Sequence, residues 1–295
     1  MTGVIIVIND DMRHHKPRFA FWPLRRVALA AEFHEISGDL QMQLTNNTIF
    51  ITGGGSGIGR GLAEALHRLG NQVIISGRRQ QLLDQVTAAN PGMKSICFDV
   101  SSARETRQAV DELLRKFPSL NVLINNAGIM PLDDPSSELT DSDIERVTET
   151  NFVAPIRLTS YLIEHLKAQP RSTILYNTSI LAFVPLASAA VYSATKAALH
   201  SYVLSQRFAL RDSTVTVQEI APPWVDTDLI VKSGDPRAMP LEMFIDQIMK
   251  ELATDAEDLL VEAIRPMRDN PGANEHAFVH GFNLSLIENP IPTGV

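Results

Sequence analysis

Short apolar runs alternate with segments of helical periodicity along most of the chain. Six runs have the length and β-branched content of buried strands: residues 47–51, 72–76, 95–98, 121–124, 173–177 and 214–220. Between them, apolar residues recur at helical spacing over residues 58–69, 80–89, 103–117, 142–166 with a bend at Pro155, and 190–211. Alternating strands and helices require right-handed crossovers. The pattern predicts an α/β fold, a single domain with a doubly wound parallel sheet and helices on both faces.

The two ends of the chain lack this alternation. Residues 1–41 have no clear period, and we predict an N-terminal extension that is disordered or a translated upstream stretch, with a regulatory or partner-binding arm as the alternative. Residues 42–270 form the predicted domain. The spacing of Thr254–Glu257 is that of a capping box, which predicts a helix to about Met267. Residues 271–295 are predicted to be a loose C-terminal tail.

Composition narrows the class of partner. The 295 residues suffice for one α/β domain, and 26 basic against 34 acidic residues give a net charge of −8 without a basic run of the kind that binds nucleic acid. The apolar residues 4–8 are too few to span a membrane, and basic residues follow them, the reverse of an export signal. The eight histidines include the adjacent pair His14–His15 but no other metal-ligand spacing, so no metal is predicted.

The single cysteine indicates the compartment. Cys97 cannot form an internal disulfide, and it lies in an apolar run. We therefore predict a buried structural thiol in a reducing, cytoplasmic compartment.

A glycine-rich turn joins the first strand to the first helix, with the sequence Thr-Gly-Gly-Gly-Ser-Gly-Ile-Gly at residues 52–59. Such a turn directs backbone N–H groups toward an anion at the helix N-terminus, and glycines let a pyrophosphate approach the main chain. A turn needed only for packing is the alternative, which the strand–turn–helix context disfavours. The predicted dinucleotide contacts here are Thr52, Gly53, Ser56, Gly57, Ile58 and Gly59.

Three motifs occur in a fixed order: the turn at 52–59, Asn-Asn-Ala-Gly at 125–128 and Tyr-Ser-Ala-Thr-Lys at 192–196. Together they resemble the short-chain dehydrogenase/reductase family over residues 42–230. The resemblance implies a Rossmann-type fold, a nicotinamide cofactor, and hydride transfer to or from a small-molecule carbonyl or alcohol. Residues 182–199 and 221–228 are similar to a bacterial subgroup named for its association with teichoic-acid D-alanylation genes, which indicates a subgroup and not a substrate.

The end of the second strand predicts the choice of cofactor. Residues 76–79 are Ser-Gly-Arg-Arg, so the carboxylate that binds the ribose hydroxyls of NAD is missing. Arginine attracts a 2′-phosphate. We predict NADP, with NAD less favoured: Arg78 clamps the phosphate, Arg79 assists, and Ser76 donates a hydrogen bond. The alternative is a solvated helix start, which the helix dipole disfavours because it repels cations there.

The resemblance assigns further cofactor contacts by position. Asp99 matches a carboxylate that accepts a hydrogen bond from the adenine amino group, although a helix cap is its ordinary alternative. Asn125 is expected to tie the sheet together. The other expected contacts on the adenine and nicotinamide sides are Val100, Asn126, Ala127 and Gly128.

A departure from the family pattern follows the sixth strand. Family members commonly have Pro-Gly where this chain has Pro222-Pro223, which predicts a stiffer loop. The resemblance places Thr227 at the nicotinamide carboxamide, and Trp224 is either core or a wall of the substrate site. Residues 228–252 either close over the substrate or form a helix packed on the sheet. The cofactor contacts expected in this loop are Pro222, Val225 and Thr227.

Tyr192 and Lys196 are four residues apart on a predicted helix, so both side chains project into one cleft. A nearby ammonium lowers the pKa of a tyrosine hydroxyl and lets it exchange a proton with a carbonyl or alcohol oxygen. The resemblance implies that Lys196 also holds the nicotinamide ribose, that Ser179 hydrogen-bonds the substrate oxygen, and that the backbone of Asn151 holds a relay water. Taken individually, Ser179 and Asn151 would be interpreted as helix-cap or turn residues. Their spacing relative to Tyr192 and Lys196 instead favours a role in catalysis.

The predicted helix 190–211 has surplus apolar positions: Ala194, Ala197, Ala198, Leu199, Val203 and Leu204. With the resemblance, they predict a homodimer or homotetramer; a broad core helix of a monomer is the alternative.

Three functions stay open. The Ser, Tyr and Lys set favours an NADP-dependent reductase or alcohol dehydrogenase over an NADP(H)-binding redox sensor or accessory protein, and over a scaffold without useful turnover.

Overall fold

In the part of the chain that the structure describes, seven parallel strands form the central sheet. The computed structural model describes residues 42–269, 272, 274–290 and 292. The strands run in the order β3-β2-β1-β4-β5-β6-β7. Their bounds are β1 Thr48–Thr52, β2 Gln72–Gly77, β3 Lys94–Cys97, β4 Leu120–Asn125, β5 Ser172–Asn177, β6 Val215–Ile220 and β7 Asp258–Leu259. The winding direction changes between β1 and β4, which opens a crevice at their carboxyl ends. The predicted doubly wound, Rossmann-type sheet is confirmed.

The connecting segments are mostly helical. The helices are α1 Gly57–Arg68, α2 Gln80–Ala89, α3 Ala103–Lys116, α4 Asp141–Thr148, α5 Ala154–Lys167, α6 Ala190–Leu210, α7 Leu241–Glu251, α8 Arg265–Arg268 and α9 Glu275–Glu288. A π-helical turn at Glu149–Val153 separates α4 from α5, where the sequence predicts one helix with a bend. Pro155 lies in the first turn of α5, directly after the π-helical turn, and it has no N–H to donate to the helical residues that precede it. No helix among the described residues is long and apolar enough to cross a membrane.

Two apolar clusters cover the faces of the sheet. Successive side chains of a strand point to opposite faces, and in β1 Ile49 and Ile51 belong to one cluster while Phe50 belongs to the other. The first cluster includes residues of α1, α2 and α7, and the second includes residues of α3, α5 and α6. Burial on both faces explains why the strands are nearly continuous apolar runs.

The helix predicted for residues 254–267 is wrong. Thr254 closes the preceding helix instead of opening a new one, because its hydroxyl donates to the carbonyl of Glu251 at 2.7 Å and accepts from the N–H of Ala256 at 3.2 Å. The chain then runs alongside β6, where the N–H of Glu219 donates to the carbonyl of Glu257 at 2.9 Å. Tertiary pairing overrides the local capping pattern, and within the predicted range only a 3-10 turn at Glu262–Ile264 and the start of α8 are helical.

The loose tail predicted for residues 271–295 is also wrong over its described part. Helix α9 packs partly buried apolar side chains against the first core cluster: Phe278, Val279, Phe282 and Leu286. Residues 278, 282 and 286 are spaced by four, as apolar residues on one face of a helix are. The prediction of a loose tail followed the prolines and polar residues around them instead. The predictions for residues 1–41, including His14–His15, lie outside the described residues.

Candidate active site

A cavity of about 730 Å³ lies at the carboxyl ends of the central strands. Most residues that the sequence predicts for the site line it: Gly53, Ser56, Gly57, Ile58, Gly59, Arg78, Arg79, Asp99, Val100, Asn126, Ala127, Gly128, Ser179, Tyr192, Lys196, Pro222, Val225 and Thr227. Three others, Thr52, Ser76 and Asn151, are buried behind the lining. The fold thus brings segments far apart in sequence to one surface, and it separates residues that touch a ligand from residues that hold them.

The glycine-rich turn forms one end of this cavity. Gly53 and Gly57 have φ values of +69° and +52°, which favour glycine. A Cβ on Gly59 would collide with the side chain of Asn126 and the carbonyl of Gly53. No side chain caps the start of α1, and its first turn carries no acidic residue, so its N–H groups face the cavity. Backbone donors at a helix N-terminus fit a pyrophosphate.

The side chain of Thr52 ties the turn to β4. Its hydroxyl accepts hydrogen bonds from the N–H groups of Asn126 and Ala127, both at 3.0 Å. The Asn126 amide donates to the Thr52 carbonyl at 2.9 Å and accepts from Asn177 at 2.8 Å. Asn125 donates to the hydroxyl of Thr159 at 3.0 Å, a structural contact that joins β4 to α5 instead of joining two strands. Three strand ends are therefore fixed by side-chain amides, and the backbone carries the cavity surface.

Two exposed arginines stand at the end of β2. Arg79 donates to the hydroxyl of Ser56 in the glycine-rich turn at 3.0 Å, and Arg78 lies 3.8 Å from a carboxylate oxygen of Asp99. The other oxygen of Asp99 accepts from the N–H and hydroxyl of Ser101 at 2.9 and 2.7 Å. Both arginines line the cavity and are exposed to solvent, which fits an added phosphate.

Two expectations near this end are not met. Ser76 is fully buried, and its hydroxyl has no hydrogen-bond partner among the described residues, so it does not reach the cavity as a donor. Cys97 is exposed instead of buried, with its Sγ 3.6 Å from the carbonyl of Arg78. Both errors concern which face of a strand a residue occupies. Strand β3 is at the edge of the sheet, where an apolar run does not ensure burial.

The proton-transfer set lies where β5 meets α6. Tyr192 and Lys196 are each 4% exposed, and the Lys196 ammonium donates to the carbonyl of Asn177 at 2.7 Å and lies 5.5 Å from the Tyr192 ring centre. The Ser179 hydroxyl accepts from the N–H of Leu181 at 3.1 Å, which fixes it at the end of β5. The three side chains line one cavity wall.

The pKa values in this set differ from the expectation. Burial raises the pKa of Tyr192 to about 12, and a hydrogen bond with Ser179 opposes the rise. Burial lowers the pKa of Lys196 to about 8, and the charge of Glu219 opposes the fall. Desolvation of the phenol decides the direction of the shift, and the Lys196 ammonium is engaged with the carbonyl of Asn177. Tyr192 therefore holds its proton at neutral pH and is arranged as a proton donor.

Asn151 lies in the π-helical turn, a feature that frequently marks functional sites. Its side chain exchanges hydrogen bonds with the backbone of Ile129, accepting from the N–H at 2.9 Å and donating to the carbonyl at 2.8 Å. A crevice of about 10 Å³ next to it is also lined by Asn177 and Lys196. That volume is about what one water requires. The side chain of Asn151 is thus a brace between two segments.

Sequence reasoning missed a buried acid behind Lys196. Glu219 on β6 is 1% exposed; one carboxylate oxygen accepts from the Thr178 hydroxyl at 2.5 Å and the other lies 2.7 Å from Nδ1 of His200. Thr178 precedes Ser179, and His200 is one turn after Lys196. The carboxylate therefore joins both arms of the proton-transfer set. An acidic residue inside an otherwise apolar strand, with a histidine four residues after Lys196, is the sequence signal that could have found it.

The loop after β6 forms the wall beyond the catalytic residues. Trp224 lines the cavity, and its carbonyl accepts from the N–H of Met239 at 2.8 Å. Leu229 and Ile230 also line the cavity. Helix α7 instead packs on α1, burying Phe244, Ile245 and Ile248. Residues 228–252 are thus divided between a cavity wall and a core helix: the helix interpretation holds for Leu241–Glu251, and closure of the preceding part over a substrate stays a prediction.

Comparison with known proteins agrees with this architecture. Residues 47–238 match the family model of the short chain dehydrogenases, and the chain belongs to that family. It is an NAD(P)-dependent dehydrogenase/reductase with a nicotinamide cofactor.

The uncharacterized oxidoreductase DltE of Bacillus subtilis (strain 168) is 40% identical over 235 residues, which cover 77% of this chain and 93% of the relative. This supports the predicted subgroup. The NADPH-dependent 1-acyldihydroxyacetone phosphate reductase of Schizosaccharomyces pombe is 34% identical over 184 residues, covering 61% of this chain and 60% of the relative. A short chain dehydrogenase from Burkholderia cenocepacia J2315, solved in complex with NADP, shares the fold with a TM-score of 0.72 at 24% identity, over 82% of this chain and 99% of that one.

Proposed function

We propose that this enzyme reduces a carbonyl compound with NADPH, or oxidises the matching secondary alcohol, with Tyr192 as the general acid and base. The observation that carries the proposal is the convergence of Ser179, Tyr192 and Lys196 on one cavity wall. When bound, the nicotinamide supplies or accepts the hydride at the substrate carbon. A redox sensor would need the cofactor site but not this proton-transfer set.

In reduction, the Ser179 and Tyr192 hydroxyls hold the carbonyl oxygen. Tyr192 gives its proton to that oxygen as the carbonyl becomes an alcohol, and the Lys196 ammonium stabilises the phenolate left behind. Asn177 and Thr52 keep the surrounding strand ends in place through the hydrogen bonds described above. A water in the crevice beside Lys196 and Asn151 returns a proton to the phenolate. In oxidation the proton moves the other way.

The preference for NADPH rests on the end of β2. Arg78 and Arg79 line the cavity, and no acidic residue lies between β2 and α2. The 2′-phosphate of NADP gives these arginines a partner that NAD lacks. The carboxylate of Asp99 lies 3.8 Å from Arg78 and accepts a hydrogen bond from the hydroxyl of Ser101.

Replacing Tyr192 with Phe tests the proposal directly. NADPH oxidation by a panel of ketones should fall at least ~100-fold in Tyr192→Phe, because the donated proton is gone while the shape is nearly kept. Binding of NADPH, measured by calorimetry, should remain. Tyr161→Phe, which removes a hydroxyl outside the cavity lining, is the matched control. Near wild-type turnover in Tyr192→Phe would disprove the assignment.

We also propose a homodimer formed through α6. Exposed positions of this helix recur at helical spacing: Ala194, Ala197, Ser201, Leu204 and Phe208. Phe208 is 69% exposed, which is unusual for a large apolar side chain. Leu199 and Val203, counted earlier in the apolar surplus, are buried in the core and do not belong to this face. Burial of the stripe against a second copy would also support the helix that carries Tyr192.

Light scattering tests the dimer. The protein should have about twice its 32.5 kDa chain mass at micromolar concentration, and Phe208→Asp should shift it toward the monomer. Leu69→Asp alters another exposed apolar residue and should leave the mass unchanged. A monomeric wild-type protein with full activity would exclude the dimer.

A further inference from the structure

The far end of the cavity is built from the C-terminal part of the chain. Four apolar side chains line it there: Ile264, Met267, Phe282 and Leu286. They come from the turn before α8, from α8 and from one face of α9, and they lie in the same cavity as Tyr192. Sequence patterns for a nicotinamide site do not include any of these residues.

Hydrogen bonds hold α9 against the catalytic segment. The side chain of Asn283 accepts from the N–H of Ala187 at 2.6 Å and donates to the carbonyl of Pro185 at 3.0 Å. Both partners lie directly before α6, which carries Tyr192. Because this side-chain amide satisfies two backbone groups, it fixes the helix relative to the catalytic residues. Helix α9 is therefore part of the site and not an appended tail.

A second attachment lies at the end of α9. Arg237 donates to the carbonyls of Asn289 and Pro290 at 2.5 and 2.8 Å, and it also pairs with Asp235 at 2.8 Å. Its guanidinium lies 5.4 Å from the ring centre of Trp224. The arginine therefore connects the wall formed by the loop after β6 to the wall formed by α9.

Among the described residues, the two arginines that line the cavity outside the cofactor end already have partners. Besides the residues at the cofactor end and Lys196, the described lining includes two arginines: Arg237, whose partners are given above, and Arg146, which pairs with Asp143 at 3.0 Å. Asp228 also lines this part and is exposed. A substrate carboxylate or phosphate would have to compete with these partners, and it would also face the negative charge of Asp228. The apolar side chains instead form a surface on which burial of a hydrocarbon away from water is favourable in free energy.

We propose that α8 and α9 form the binding wall for an uncharged hydrocarbon body of the substrate, with Phe282 and Leu286 as the specificity-determining residues. The substrate is then a carbonyl compound, or its alcohol, with an apolar chain or ring and without an anionic group at its far end. This inference rests on the proposed carbonyl reduction, and it adds the class of substrate.

A series of methyl ketones from butanone to octanone tests the proposal. Burial of each added methylene should raise kcat/KM about fourfold until the wall is filled. A keto acid of the same length as octanone, with its carboxylate at the far end, should react at least ~10-fold more slowly. Phe282→Ser and Leu286→Ser should flatten the dependence of kcat/KM on chain length. The matched controls are Leu284→Ser and Ile287→Ser, which alter exposed residues of the same helix.

Binding separates this inference from the proposed reaction. In a Trp22→Phe background, Trp224 in the cavity wall is the single tryptophan, and its fluorescence reports ketone binding with NADP present even without turnover. Tighter binding with each methylene, lost in Phe282→Ser but not in Leu284→Ser, supports the apolar wall even if Tyr192→Phe disproves the chemistry. The apolar wall is overturned if all ketones of the series bind equally or if the keto acid binds more tightly. It is also overturned if Phe282→Ser and Leu284→Ser have equal effects on binding.

Discussion

The cofactor end and the substrate end of the cavity are built differently. At the cofactor end, the lining is largely backbone: Gly53 and Gly57 have left-handed φ values, and Gly59 has no room for a Cβ. At the substrate end, the lining is apolar side chains, such as Phe282 and Leu286, on a helix tied by hydrogen bonds. At the cofactor end, the glycine positions tolerate few other residue types. At the substrate end, one apolar side chain can be replaced by another. One end is thus constrained in sequence, and the other can change its substrate without changing the fold.

The sharpest test of this contrast is adding one methyl group at each end. Gly59→Ala places a Cβ against Asn126 and the Gly53 carbonyl, so the free energy of unfolding should fall by about 3 kcal/mol and NADPH binding should be lost. Gly281→Ala in α9 meets no atom within 4 Å and should be neutral or stabilising by about 0.5–1 kcal/mol. Urea unfolding and calorimetry measure both. Similar losses in the two variants would remove the contrast.

The next largest effect should be on cofactor preference. Arg78→Ala and Arg79→Ala each remove a charge-assisted contact to the 2′-phosphate, worth about 1.5–3 kcal/mol. The ratio of NADPH to NADH affinity should therefore fall roughly ten- to a hundredfold, with NADH binding itself little changed. Arg68→Ala, at the exposed end of α1, is the control. Equal affinity of the intact enzyme for the two cofactors would refute the preference.

A smaller effect is expected from the acid behind Lys196. The negative charge of Glu219 favours the ammonium form, so Glu219→Gln should lower the pKa of Lys196 further below its present value of about 8. The variant should therefore lose activity at a lower pH than the wild-type enzyme when the pH is raised. We expect its kcat/KM for reduction to be roughly tenfold lower than that of the wild-type enzyme at pH 8 and little changed near pH 6. Glu257→Gln, which changes an exposed carboxylate, is the control. An unchanged pH profile of kcat/KM in Glu219→Gln would mean that the carboxylate has only a packing role.

At the cofactor end, the sequence predicts the strands, the glycine-rich turn and most of the cavity lining, because these features depend on local patterns. Strands buried on both faces must be apolar throughout, and a pyrophosphate turn must contain glycine, so both signals survive in a single chain. The spacing of Tyr192 and Lys196 follows from the helix repeat alone. These features require no knowledge of what packs against them.

The misses share one physical origin, which is tertiary placement. The buried Ser76 and the exposed Cys97 depend on which face of a strand is covered, and a run of apolar residues does not encode this. Thr254 and Glu257 match a helix start, but pairing beside β6 decides their conformation. Glu219 is satisfied by partners 41 and 19 residues away, which no local window contains.

The exposed position of Cys97 allows this protein to be labelled with a fluorescent dye at a single site. It is the only cysteine of the chain, and its thiol lies at the carbonyl of Arg78, at the predicted phosphate clamp. A maleimide dye would therefore attach at one place without prior removal of other thiols. Because the environment of the dye changes when an anion reaches the neighbouring guanidinium, its emission would follow cofactor arrival in real time, independently of any substrate.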